Sequence, residues 1–117
     1  MRAHDDHEGL PPLPSATFHI LVALSGADLH GYGIMQEVAE RTGTKLNPGT
    51  LYTTIQRLLE KGLILELHER PDPEEDDERR RYYRLTPSGR RAAQLELARL
   101  TELVTLGRRA GLAAKGA

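Results

Sequence analysis

The chain has 117 residues, with no Cys, no Trp, a single Phe and a formal net charge of −1. That length suits one domain with a modest core. Without cysteine, disulfide staples and thiolate chemistry are excluded, and no apolar run approaches the ~20 residues that a membrane span needs. Residues 1–14, acidic and Pro-rich, read as a flexible lead-in without the apolar centre of a signal peptide.

Ser15 is placed to cap a first helix through "ATFHILVALSG", whose Phe18, Ile20, Leu21, Val22 and Leu24 cover most of its circumference. Gly26 to Leu29 reads as a turn. A second helix follows in "HGYGIMQEVAERTG", with an Ile34, Met35 and Val38 stripe and Gly43 as its stop. Gly31 and Gly33 each weaken that helix by about 1 kcal/mol relative to Ala, which close packing at its first turn would explain.

The third helix has the clearest start, with Asn47 as N-cap and Pro48 at the first helical position. Leu51, Ile55, Leu58 and Leu59 share one face, and Gly62 ends the helix. The opposite face carries Thr50, Thr53, Gln56, Arg57 and Glu60, with Tyr52 on its shoulder. In the first half of that face every side chain can hydrogen-bond and none is acidic. Thr, Gln and Arg are the residue types that contact phosphates and base edges in a major groove, although a solvated face has the same composition.

Two strands follow, in "LILELHE" and "RRRYYRLT", joined by the acidic, Pro-containing "RPDPEEDDE". Tyr83 and Leu85 fall on one side of their strand, Tyr82 and Arg84 on the other. The charges are sorted along the chain: mostly acidic from Glu66 to Glu78, then six arginines, Arg79, Arg80, Arg81, Arg84, Arg90 and Arg91. Thr86 and Pro87 open a last helix running to about Arg109, some ~35 Å at 1.5 Å per residue. Ala93, Leu97, Leu100 and Val104 are spaced as in a helix-pairing seam. The helix is longer than a body of about 75 residues is wide, so a second copy packing on its far end is the natural remedy.

This order, three helices and then a hairpin, is that of a winged helix-turn-helix. The fold class is therefore mainly α with a two-stranded β wing, followed by a C-terminal helix for dimerisation. Residues 1–14 form the lead-in, 15–86 the DNA-binding domain and 87–117 the dimerisation helix and tail. The expected dimer contacts are Phe18 and Leu21 of the first helix and Ala93, Leu97, Leu100 and Val104 of the last.

"HGYGIMQEV", "NPGTLYTTIQRLLEKGLI" and "RRRYYRLTPSGRR", in this order and spacing, resemble the PadR family of bacterial transcriptional regulators, in its short form with a single C-terminal helix. The resemblance covers roughly residues 15–109. It implies a homodimer that represses a promoter by binding double-stranded DNA, expected at a near-palindromic operator, and a possible small-molecule effector that releases it; a cytoplasmic setting fits the absence of cysteine. It places DNA contacts on Thr50, Tyr52, Thr53, Gln56 and Arg57 of the third helix, and on Arg79, Arg80 and Arg81 at the wing base. Two features depart from the family pattern. The wing tip holds the acidic run Glu74 to Glu78, expected to point away from phosphate or to pair with the neighbouring arginines. The absence of Trp means that ligand sandwiching between tryptophans, known in some members, does not carry over.

No catalytic set or cofactor motif is present, and the scattered His4, His7, His19, His30 and His68 give no metal spacing. The alternative function is a winged-helix module that binds protein without DNA, which the low net charge and acidic wing favour. A small-molecule carrier or enzyme using the dimer cleft is a third reading.

Overall fold

The structure, a computed structural model, describes residues 10–67 and 81–113. Helix α1 spans Ser15–Gly26, strand β1 Leu29–His30, helix α2 Gly31–Thr42 and helix α3 Pro48–Glu60. Strands β2 (Ile64–Glu66) and β3 (Tyr82–Leu85) follow, and helix α4 runs Pro87–Arg109. The three helices, the strand pair and the long last helix stand where the sequence pattern puts them.

Helix α1 is the hub and packs against α2, α3, β3 and α4. Its Ile20 and Leu21 are fully buried, beside Ile34 of α2, Leu51 and Leu58 of α3, Ile64 and Tyr83. Fully burying side chains of this kind contributes about 1.5–3 kcal/mol each. Helices α2 and α3 end at Gly43 and Gly62, which take left-handed φ values of 76° and 74° that only glycine adopts without strain.

The sheet is antiparallel with the order β1-β3-β2, so the chain's last strand lies in the middle. Leu29 pairs with Tyr83 and His30 with Tyr82 on one side; Ile64 pairs with Leu85 and Leu65 with Arg84 on the other. Thus the wing pair gains a third strand from a segment expected to be a turn. Asp28, just before β1, clamps that join: its carboxylate accepts from Arg84 Nε at 3.1 Å and Nη2 at 2.8 Å. This two-point fork makes Arg84 a brace of the sheet.

Two further expectations are corrected. Ser15 does not cap α1; Pro14 occupies the cap position and offers no side-chain bond. The Ser15 hydroxyl instead lies 3.3 Å from His19 Nδ1, which also contacts the Ser15 carbonyl at 2.8 Å. Leu21 is not available to a partner copy, because it is 0% exposed within its own domain.

Candidate nucleic-acid interface

The start of α3 is built as its sequence suggests. Asn47 Oδ1 accepts the Thr50 N–H at 2.7 Å, Pro48 fills the first helical position, and the first turn holds no acidic residue. Leu51, Thr54, Ile55 and Leu58 are buried, which turns Thr50, Tyr52, Thr53, Gln56, Arg57 and Glu60 outward. Every α3 residue proposed to contact DNA is therefore exposed, and all five share one side of the helix. Gln56 Nε2 makes only a long bond, 3.4 Å, to Glu60 Oε2. No carboxylate among the described residues pairs with Arg57.

Tyr52 is half exposed, and its ring lies over Gly31 at the start of α2. A Cβ added at Gly31 would strike the Tyr52 hydroxyl and approach its ring carbon Cζ at 2.9 Å. Close packing therefore explains Gly31. Gly33 is different: a Cβ there would meet the nearest His30 atom at 3.4 Å, an ordinary contact.

His30 was not singled out by the sequence, yet it joins the site's parts. Its Nδ1 accepts the Gly33 N–H at 2.9 Å and so caps α2. That bond requires an unprotonated Nδ1. The imidazole stacks near Tyr32, centroids 6.4 Å apart, and meets Tyr82 of β3 edge-on at 5.0 Å. The signal for it was a polar side chain directly before the helix, three residues ahead of the Gly33 N–H that it accepts, with histidine in a role usually filled by Ser, Asp or Asn.

In the wing, Arg81 is largely exposed, and its Nε lies 3.9 Å from Glu66 Oε2, the outer limit of an ion pair. Such a contact in water holds a side chain weakly. Arg79, Arg80 and the acidic run Glu74 to Glu78 lie outside the described residues. Tyr83 is core, as its strand position predicts; burial raises its hydroxyl pKa above the usual 10.0, and the nearby Glu66 adds to the rise.

The candidate dimer residues divide. Phe18 and Ala93 are half-buried, and Ala93 packs on the protomer's own core. Leu97 is 59% exposed and Val104 54%, with half-buried Leu100 between them on the stripe. Leu103 and Leu106 widen this apolar surface. Among the described residues no group of three or more His, Cys, Asp or Glu is placed to hold a metal ion. None of the helices there is long and apolar enough to cross a membrane.

One charged residue is buried in α4. Glu96 is 2% exposed; its oxygens accept from Arg99 Nε at 2.9 Å and Nη2 at 2.7 Å, and from the Leu13 N–H at 3.2 Å. The Arg99 bonds lower its pKa, burial opposes them, and the Leu13 N–H lowers it further. An i,i+3 Glu–Arg pair reads in sequence as a surface pair, so its burial was not foreseen.

The family model of the transcriptional regulator PadR-like family matches residues 20–95. A curated transcriptional regulator of Mycobacterium tuberculosis is 38% identical over 85 residues, 73% of this chain and 75% of that protein. A crystal structure of a PadR family transcription regulator from hypervirulent Clostridium difficile superposes with a TM-score of 0.70 at 26% identity, covering 82% of this chain and 97% of the other. A transcriptional regulator from Clostridium thermocellum shares the fold with a TM-score of 0.69 at 24% identity, over 80% of this chain and 87% of the other.

Proposed function

Because the chain belongs to the PadR-like family of transcriptional regulators, and so regulates transcription rather than catalysing a reaction, we propose that it acts in the cytoplasm as a homodimeric repressor. Two copies of α3 enter successive major grooves, ~34 Å apart, on a near-palindromic operator. The observation that carries this reading is the outward face of α3: five exposed side chains able to hydrogen-bond, with no acidic residue before Glu60. Thr50 and the α3 N-terminus contact phosphate. Thr53, Gln56 and Arg57 discriminate bases, Gln favouring adenine and Arg guanine. Tyr52, fixed over Gly31, offers its hydroxyl to the backbone. Arg79, Arg80 and Arg81 contact phosphate beside the wing.

Pairing of two α4 stripes, through Leu97, Leu100 and Val104, covers the apolar surface of each tail. Phe18 joins this contact from α1. It lines a groove of about 320 Å³ between α1 and α2, with Val22, Ala23 and Val38. A small molecule bound in the dimer cleft releases DNA by preferring one separation of the two reading helices over another, since a ligand shifts an equilibrium only by its differential affinity.

Binding of the purified protein to duplex DNA from upstream of its own gene, titrated with salt, tests the function. Affinity should fall steeply, with a log–log slope near −0.9 per phosphate neutralised. Flat or absent binding at low salt would instead favour a winged-helix module that recognises protein, the reading that the net charge of −1 supports.

A further inference from the structure

The end of α3 and the start of α4 are distant in sequence but joined by one compact set of contacts. Beyond Glu60, the chain closes α3 with two crossed bonds, Gly62 N–H to the Leu59 carbonyl at 3.1 Å and Leu63 N–H to the Leu58 carbonyl at 3.0 Å. This paired termination fixes the direction of Gly62 and Leu63 relative to the helix axis. Thr86 then grips the same two residues. Its N–H donates to the Leu63 carbonyl at 3.1 Å, and its hydroxyl donates to the Gly62 carbonyl at 2.7 Å. The same hydroxyl accepts the Gly89 N–H at 3.0 Å and so caps α4. A single oxygen thus serves both helices.

Gly89 completes the joint. A Cβ there would stand 1.9 Å from the Leu63 carbonyl oxygen and 2.7 Å from Leu85 Cδ1. The first of these is backbone already held by Thr86. It cannot swing aside as a side chain would, so α4 would have to retreat by roughly 1.5 Å to reach ordinary contact.

We propose that Thr86 and Gly89 are positioning residues that fix the angle between the reading helix and the dimerisation helix, so that the pairing of the tails dictates the operator spacing the dimer accepts. The inference rests on the reading of α3 as the DNA-reading element. Its mechanism is leverage. With the buried Glu96 as pivot, displacing the first turn of α4 by about 1.5 Å swings its far end by about 3 Å, because ~20 Å of helix lies beyond Glu96 and ~10 Å before it. Seen from a fixed pair of tails, the same tilt moves the two α3 helices relative to one another. Neither Thr86 nor Gly89 touches DNA.

The test uses the absence of cysteine in the native chain. Spin labels on Glu60→Cys and Arg109→Cys, both exposed positions, report the distance between the end of α3 and the far end of α4. Dilution with unlabelled chain keeps the measurement within one protomer. Gly89→Ala should shift this distance by about 3 Å. Thr86→Val should broaden it, and Thr86→Ser, which keeps the hydroxyl, should leave it unchanged.

In parallel, affinity is measured on operators whose half-site spacing is varied and on an isolated half-site. Gly89→Ala should weaken binding at the native spacing by about tenfold or more while leaving half-site binding within about twofold. An unchanged distance together with an unchanged spacing preference in folded Gly89→Ala overturns the proposal. If that variant does not fold, the Thr86→Val and Thr86→Ser pair decides: distance distributions of equal width in the two sink it. If the unmodified protein binds no duplex, the DNA reading fails, and the distance measurement still judges the joint.

Discussion

Helices α3 and α4 each leave one face uncovered, and the two faces are opposite in kind. On α3 the outward side chains are Thr50, Tyr52, Thr53, Gln56, Arg57 and Glu60, all able to hydrogen-bond. On the far half of α4 they include Leu97, Leu103, Val104 and Leu106, each about half exposed. A polar face is stable in water without a partner and gains specificity when a groove meets it. An apolar face is unfavourable until covered; each such side chain stands to gain roughly half of the ~1.5–3 kcal/mol that full burial is worth. In the proposed function the contrast separates two roles along the chain, with α4 pairing the copies and α3 reading the duplex.

The sharpest way to break the comparison is to give the α4 face the character of the α3 face. Leu97→Glu combined with Val104→Glu should yield a folded monomer by light scattering, and operator affinity should fall by about 10²–10⁴ as simultaneous engagement is lost. A persistent dimer would place the interface elsewhere. Next in size is Arg57→Ala, expected to lower operator affinity by about 1–3 kcal/mol with base preference relaxed at one position and melting temperature unchanged. Smaller again is Asn47→Ala, which removes the cap of α3 and should lower stability by about 1 kcal/mol in denaturant titration.

The last prediction concerns the border between the two halves of α4, where Glu96 and Arg99 sit. The Arg99 bonds hold the Glu96 carboxyl below its ordinary value of 4.5, so its contribution to stability is present at neutral pH. It fades as pH drops below about 4.5 and through the lowered folded value. Melting curves should therefore show wild type losing its advantage over Glu96→Gln only in that acid range. A constant difference between the two proteins from neutral pH into acid would show that Glu96 acts by packing alone.

The same two helices explain what could be read from the sequence. Helix α3 was legible to the residue at its start because Asn47 and Pro48 act locally, through backbone geometry and one N–H. Helix α4 was legible in extent for the same reason, with Thr86 and Pro87 at its start. Contacts across the chain were not legible. Strand β1 has two residues, too few for alternation, and exists only because β3 pairs with it. Asp28 and Arg84 are 56 positions apart and look like unrelated surface charges until the sheet brings them together. Leu21 reads as one more apolar residue on a helix apolar nearly all round, and only the packing of α2, α3 and α4 shows which of those residues are enclosed. For the interface, the sequence supplied the residue types and the shared face of α3. It gave no hint that Gly31 seats Tyr52 or that His30 ties α2 to β3.

The strand order β1-β3-β2 has a consequence for how the protein is made. The middle strand is the last of the three to leave the ribosome, so both outer strands must wait for it, their edges unpaired throughout translation of the intervening segment. A nascent chain halted before Tyr82 can coil its first three helices but can form no part of this sheet. Final closure is thereby postponed until the start of α4 is about to emerge.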